Sequence, residues 1–175
     1  MQHPLLAIPD GSRLPSFVLL LTASAVLLFI ISVPLRPSSS PSDLLRLELA
    51  GSVERAREIV KRWGGRGVQK ATYGVYVDFL FLIVYSTTIG LACISLADAA
   101  WPPASSLASI GVTLAWGLWA AALLDAIENI ALLRILQGTD ATYWPAIARW
   151  CAIPKFTLIL AGVIYIIVAC FIWAV

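Results

Sequence analysis

Histidine and methionine are nearly missing from this chain, and charge of either sign is scarce. His3 is the only histidine and stands outside every apolar run, so no histidine base or metal ligand sits within those runs. The three cysteines, Cys93, Cys151 and Cys170, show no CxxC or Cys/His spacing, which removes zinc-site and dithiol readings. Cys93 and Cys170 fall in apolar runs and are expected as small core residues. No serine–base pair and no phosphate-cradling glycine loop is evident, and Ser52, Gly64 and Gly65 have capping explanations. Charged residues make up 13% of the chain and the net charge is +2, too little to point to nucleic acid. No motif requires a cofactor.

What is abundant is apolar surface. Hydrophobic residues make up 60% of the 175 residues, far above soluble averages. A soluble domain of this length has too small a core to hide them, whereas a lipid bilayer removes the problem. About 20 mostly apolar residues cross the hydrocarbon layer as a helix. Four stretches meet or approach that length, at about 17–35, 71–96, 107–133 and 156–175. The fold class expected is therefore all-α, a polytopic membrane protein with residues 1–175 forming a single domain of four transmembrane helices. The first run is not expected to be a cleaved signal, because only Arg13 precedes it while Arg36 and many more basic residues follow.

The basic residues sort by loop. Eight lie between the first and second spans, from Arg36 to Lys70, and three between the third and fourth, Arg134, Arg149 and Lys155. The connection "ADAAWPPASS" has none. Positive loops stay cytoplasmic, so both basic loops are expected inside and both termini outside, with Arg13 as the exception. Trp101 and Trp173 would mark the outer interface, and Trp63, Trp144 and Trp150 the inner one.

The first basic loop opens with a Pro/Ser linker, "RPSSSPSD" at 36–43. An amphipathic segment at about 43–65 follows, whose "LLRLEL" predicts a short helix. In "SVERAREIVKRWGG", Ser52 is a plausible N-cap, and Val53, Ala56, Ile59, Val60 and Trp63 recur at helical spacing. Gly64 stops that helix. Such a helix fits the inner interface, with Arg57, Lys61, Arg62 and Arg66 toward anionic lipid headgroups, and it equally fits a cap on the inner mouth of the bundle. In the second basic loop, which contains Asp140, a short helix is expected near Pro145 to Cys151, ending or kinking before Pro154.

The polar residues that interrupt the spans carry the functional reading. In "LLDAIENIALLRIL" (123–136), Asp125, Glu128 and Asn129 stand at i, i+3 and i+4 and so share one helix face. That face continues through Ala122, Ala121 and Leu118, small enough for a neighbouring helix to approach. On the second span, Asp78 shares a face with Gly74 and Tyr85. At about 1.5 Å of rise per residue, Asp78 lies roughly 12 Å beyond Lys70, and Asp125 and Glu128 roughly 14 and 9 Å before Arg134. Two antiparallel spans thus bring three acids to a similar level in the inner half. Left bare, three ionised carboxylates would cost roughly 8 to 10 kcal/mol on insertion scales. The site must hold protons, borrow cations, bind a metal or admit water. Lys155 is the favoured counter-ion for Glu128. Arg134 is half a turn out of phase with Asp125 and is expected to snorkel to the headgroups.

"ELAG" at 48–51, Trp63, "DFLF" at 78–81, Tyr85, and Asp125 with "EN" at 128–129 together resemble a group of small bacterial four-span membrane proteins of unassigned function. The resemblance runs from Leu47 onward. It supports four spans and the pairing of Asp78 with Asp125 and Glu128, and it carries no activity; the localisation expected for the chain is a bacterial inner (plasma) membrane.

Three functional classes follow, in order of preference. The first is a carboxylate-lined cavity in the cytosolic half that binds a proton, a cation or a polar lipid headgroup, with Asp78, Tyr85, Asp125, Glu128, Asn129 and Lys155 as its residues. Four spans are few for a carrier, so a homodimer is expected with it. The second is a non-catalytic scaffold or accessory subunit that works through the basic helix. The third is a membrane-embedded enzyme on a lipid-like substrate, in which Asp78, Asp125 and Glu128 would be the ligands of any metal. A purely structural role, with the acids and Asn129 fastening helices, is the alternative to all three.

Overall fold

The computed structural model describes residues 3–32, 41–102, 105–138 and 141–174, and for 41–43 the backbone alone. All regular structure in the described residues is helical. A 3-10 turn at Pro4–Ala7 precedes α1 (Asp10–Ser32), α2 (Pro41–Glu48), α3 (Val53–Ala100), α4 (Ser106–Leu136) and α5 (Trp144–Ala174). Four of these, α1, α3, α4 and α5, are long and apolar enough to cross a membrane, the make-up of a multi-pass membrane protein.

The helices outrun the apolar stretches that announce them, because apolar length measures hydrocarbon thickness while helical hydrogen bonding continues into polar flanks. Thus α1 begins at Asp10, whose carboxylate suits the positive end of the helix dipole. Its last described residue is Ser32, so the expected extension through Pro34 and Leu35 lies outside the described residues, as does Asp140. Most of the expected Pro/Ser linker also lies there. Its end does not behave as a linker, since Pro41 opens α2, a position where a missing N–H costs nothing. Pro154 does not end a helix either. The short helix expected before it and the fourth span form one continuous element, α5.

Gly64 ends the amphipathic helix, as expected. Its φ of 62° and ψ of 179° are non-helical, and a second helix carrying the second span starts directly after it, so α3 is two helices joined at a kink. Nothing lies within 4 Å of where a Cβ would stand, so the positive φ alone calls for glycine. Ser52 caps α3 as expected, its Oγ accepting from the Arg55 N–H at 3.4 Å.

Contacts divide the chain into two compact units. The first comprises Met1–Ser24, Ile83–Ala122 and Lys155–Val175. Its core gathers Cys93, Ala97, Leu118, Tyr165 and Ala169, with a second cluster of Leu5, Leu91, Ile94 and Ala115. Gly111 permits a close helix approach there: a Cβ would lie 2.6 Å from Tyr165 Oη and 2.9 Å from the Cys93 carbonyl oxygen. Tyr165 donates its hydroxyl to the Leu107 carbonyl at 3.1 Å and accepts from Trp101 Nε1 at 3.1 Å. The expected outer-interface Trp101 thus spends its N–H inside the protein. Cys170 is exposed and not the core residue expected, because it lines an open groove with Ile166 one turn before it, whereas Cys93 is fully buried.

The second unit comprises Ala25–Leu82 and Leu123–Pro154. Its core takes Leu47 from α2, Ala56, Ile59, Trp63, Ala71 and Val75 from α3, Ala131, Leu132 and Leu136 from α4, and Ala148 from α5. The apolar face of the amphipathic segment is therefore covered by protein. Trp63 is a core residue and not the belt residue expected, because the same helical spacing that made the segment amphipathic aims it at α4 and α5.

Hydroxyls in the apolar stretches fold back onto their own helices. Thr22, Ser32, Thr72 and Thr88 each donate to the carbonyl four residues earlier, at 2.6 to 2.9 Å, so none is left as an unsatisfied donor.

Candidate functional site

α4 carries the site because three polar residues at i, i+3 and i+4 interrupt an otherwise apolar helix. Asp125 is 4% exposed, Glu128 0% and Asn129 3%. Ala121 and Ala122 on the same face are buried as well, while Leu123, Ile127 and Ile130 point outward. Placing the acids on the covered face leaves only hydrocarbon on the exposed one, the arrangement a helix in lipid requires.

The second unit brings one further acid to this group. Asn129 Nδ2 donates to Asp78 Oδ2 of α3 at 2.7 Å. Asp78 is half-buried, one turn from the fully buried Val75. An amide suits this place: it supplies an N–H to a carboxylate without adding charge, and its carbonyl stays available as an acceptor. Asp125 and Glu128 each engage partners as well, so neither is an isolated charge in an apolar surround. Asp78, Asp125 and Glu128 do not converge as a metal-holding set. Among the described residues no three His, Cys, Asp or Glu side chains are grouped to hold an ion.

Tyr85 and Lys155, the other residues expected at the site, are both buried and belong to the first unit. The Lys155 ammonium stands 4.6 Å from the centroid of the Phe156 ring. The Arg134 guanidinium lies 6.0 Å from the Trp144 ring centroid. Arg57, Lys61, Arg62 and Arg66 are all exposed. Arg62 stands 4.0 Å from Glu58, a solvated pair of little energetic weight.

Two arrangements escaped the sequence reading, both in the first unit. His3 is 1% exposed, its ring centroid 4.6 Å from those of both Trp116 and Trp119. Its Nδ1 accepts from the Leu5 N–H at 3.2 Å and so caps the 3-10 turn. Burial pushes its pKa below the usual histidine value, with the Ala115 backbone pulling weakly the other way. The sequence offers only a faint signal for this, a histidine set directly before Pro4 and the apolar Leu5. The second is Arg13, whose Nη1 lies 2.5 Å from Asp98 Oδ2 and 3.2 Å from Asp10 Oδ1, while its Nε donates to the Ile8 carbonyl at 3.2 Å. Asp10 three positions before Arg13 was legible; Asp98, distant in sequence, was not.

Compared with known protein families, curated proteins and solved structures, the chain matches none.

Proposed function

We propose that this chain is an integral membrane protein whose Asp78–Asp125–Glu128–Asn129 cluster is a polar site, in the cytosolic half of the membrane, that takes up and releases a proton or small cation. One observation carries the reading: Glu128 is fully buried beside Asp125 and Asn129 in a helix whose other face is hydrocarbon. An ionised carboxylate at mid-membrane costs about 2.5 to 3.5 kcal/mol or more, and a single fastening bond returns about 0.6 to 2. Three acids exceed what fastening needs. Acids crowded away from water relieve the cost by holding a proton or a cation, and a site of that kind exchanges its occupant as the surroundings change.

In this reading both basic loops face the cytoplasm. The exception, Arg13, is paired with Asp98 and Asp10 and stands alone against the eleven basic residues of the two loops. The expected partner is a second copy of the chain, which would enlarge the path beyond four spans. No metal chemistry is invoked.

The test is infrared difference spectroscopy of the purified chain in lipid, following the carbonyl band of protonated carboxyl groups, together with dye-reported proton or cation flux in proteoliposomes. Glu128→Gln and Asp125→Asn are expected to remove the band change and the flux. Flux that persists in both folded variants would overturn the reading.

A second reading rests on α3. With Ala56, Ile59 and Trp63 packed inside the second unit, the charged residues left outward are Arg55, Arg57, Lys61, Arg62 and Arg66, against the acids Glu54 and Glu58. That basic face suits anionic headgroups or an acidic partner, as a scaffold would use it. Loss of function on neutralising this face, with none on changing the acids, would favour the scaffold.

A further inference from the structure

The first unit holds a groove that the acid cluster does not involve. Its volume is about 530 Å3, within the range of small-molecule sites. Leu14 and Phe17 of α1, Ala92 and Leu96 of α3 and Ile166 of α5 make its apolar walls. Its charged residues, Asp10, Arg13 and Asp98, all stand at helix ends: Asp10 opens α1 and Asp98 lies two residues before the end of α3. From Asp98 to Ala92 the lining runs roughly 9 Å along α3 at 1.5 Å per residue, and Ser95 is its one polar residue beyond the charged end. The groove thus has one polar end, at the level where a spanning helix meets headgroups, and an apolar shaft leading inward.

The charges at the polar end specify the occupant. Two carboxylates face one guanidinium, so the mouth carries a net charge of −1 (two acids, one base). An anionic amphiphile would be repelled, an uncharged one would offer no ion to either the guanidinium or the carboxylates, and one with separated opposite charges can set its anion at Arg13 and its cation at the acids. Arg13 is 13% exposed and is anchored through Nε and Nη1, and none of these bonds uses its Nη2 edge, the edge that suits a phosphate oxygen. The outward Asp10, 90% exposed, suits a cation with N–H donors.

We propose that this groove seats a zwitterionic phospholipid with a primary ammonium, its acyl chain between α1, α3 and α5, its phosphate at Arg13 and its ammonium at Asp10 and Asp98.

The chain supplies its own reporter. Cys170 lines the groove and is exposed, whereas Cys93 and Cys151 are buried, so alkylation by N-ethylmaleimide reads Cys170. The experiment uses the purified full chain in detergent micelles doped with phosphatidylethanolamine, phosphatidylcholine or phosphatidylglycerol. At a lipid level ten times its Kd, phosphatidylethanolamine is expected to slow labelling roughly ten-fold. Phosphatidylcholine, which keeps the charge but lacks N–H donors, is expected to protect less, and phosphatidylglycerol least. Asp10→Asn, a change at an exposed side chain that leaves the packing intact, should erase the preference for the ethanolamine lipid. Ala99→Phe should block the mouth beside Asp98 and remove protection by every lipid, with a monodisperse elution profile as the check on folding. Equal protection by all three lipids, best protection by the anionic one, or a preference that survives Asp10→Asn would each overturn the proposal. None of these outcomes bears on Glu128 or Asp125, so the two readings fail separately.

Discussion

Asn129 of α4 and Asp78 of α3 are joined by an amide-to-carboxylate hydrogen bond of 2.7 Å, made by residues fifty-one positions apart in the sequence. Removing the donor and removing the charge have different consequences. Asn129→Leu leaves the Asp78 carboxylate without this donor and is expected to cost about 1 to 3 kcal/mol. Asp78→Asn keeps an acceptor for the same N–H and should cost less than half as much. Thermal or denaturant unfolding of the two variants in one detergent checks the order. A larger loss in Asp78→Asn would show that the charge, and not the bond, holds the two helices.

Gly111 and Tyr165 set the closest approach in the first unit. A methyl group at 111 would meet Tyr165 Oη, Ala97 Cβ and the Cys93 carbonyl oxygen, all within 3 Å. Gly111→Ala is therefore expected to destabilise by about 1 to 3 kcal/mol through overpacking. Tyr165→Phe should relieve part of that clash while giving up its bonds to Leu107 and Trp101. The double variant is thus less destabilised than the sum of the singles, and a double-mutant cycle measures the difference.

His3 predicts a pH dependence at the start of the chain. Burial favours the neutral ring and lowers its pKa below the ordinary histidine value of 6.5. Docking of the Pro4–Ala7 turn is then fully supported above pH 6.5 and weakens as pH falls through the lower folded value. Trp116 and Trp119 flank the ring, so tryptophan fluorescence reports the release. His3→Phe should abolish the pH dependence of that signal. An unchanged pH profile in the variant would assign the dependence to another group.

The amphipathic part of α3 separates a stability role from a surface role. Trp63 is 7% exposed in the second core, and Trp63→Ala is expected to cost about 3 to 5 kcal/mol. Replacing exposed Lys61, Arg62 and Arg66 by Gln should change stability by no more than about 0.5 kcal/mol each. The same triple change should weaken binding to anionic vesicles, most clearly at low salt. Calorimetry and vesicle co-sedimentation read the two effects independently.

Much of this was legible from periodicity. The spacing of Asp125, Glu128 and Asn129 showed which residues share a face, and the alanines continuing it showed that the face is covered. Ser52, Ala56, Ile59 and Trp63 announced their helix and its cap in the same way. What periodicity could not say was what lies opposite a face, since a tryptophan at helical spacing looks alike whether lipid or protein covers it. Trp63 and Cys170 went astray for that reason. Pairings between distant residues, such as Arg13 with Asp98, depend on tertiary packing and leave no local trace. The prolines were read as interruptions: Pro41 opens a helix that looked like linker, and of the two outcomes open at Pro154, an end or a kink, the end is the one that fails.

The backbone at Gly64 has a consequence for cooperativity. A non-helical residue interrupts the ladder of amide bonds, so the turns before it and the long run after it need not melt together. Residues 53–63 then form a separate unit of local unfolding, free to peel from the second core while residues 65–100 stay wound. Backbone amides on the two sides of this joint would exchange with solvent deuterium at unrelated rates, and a swing of the charged segment would leave the spanning helix in place.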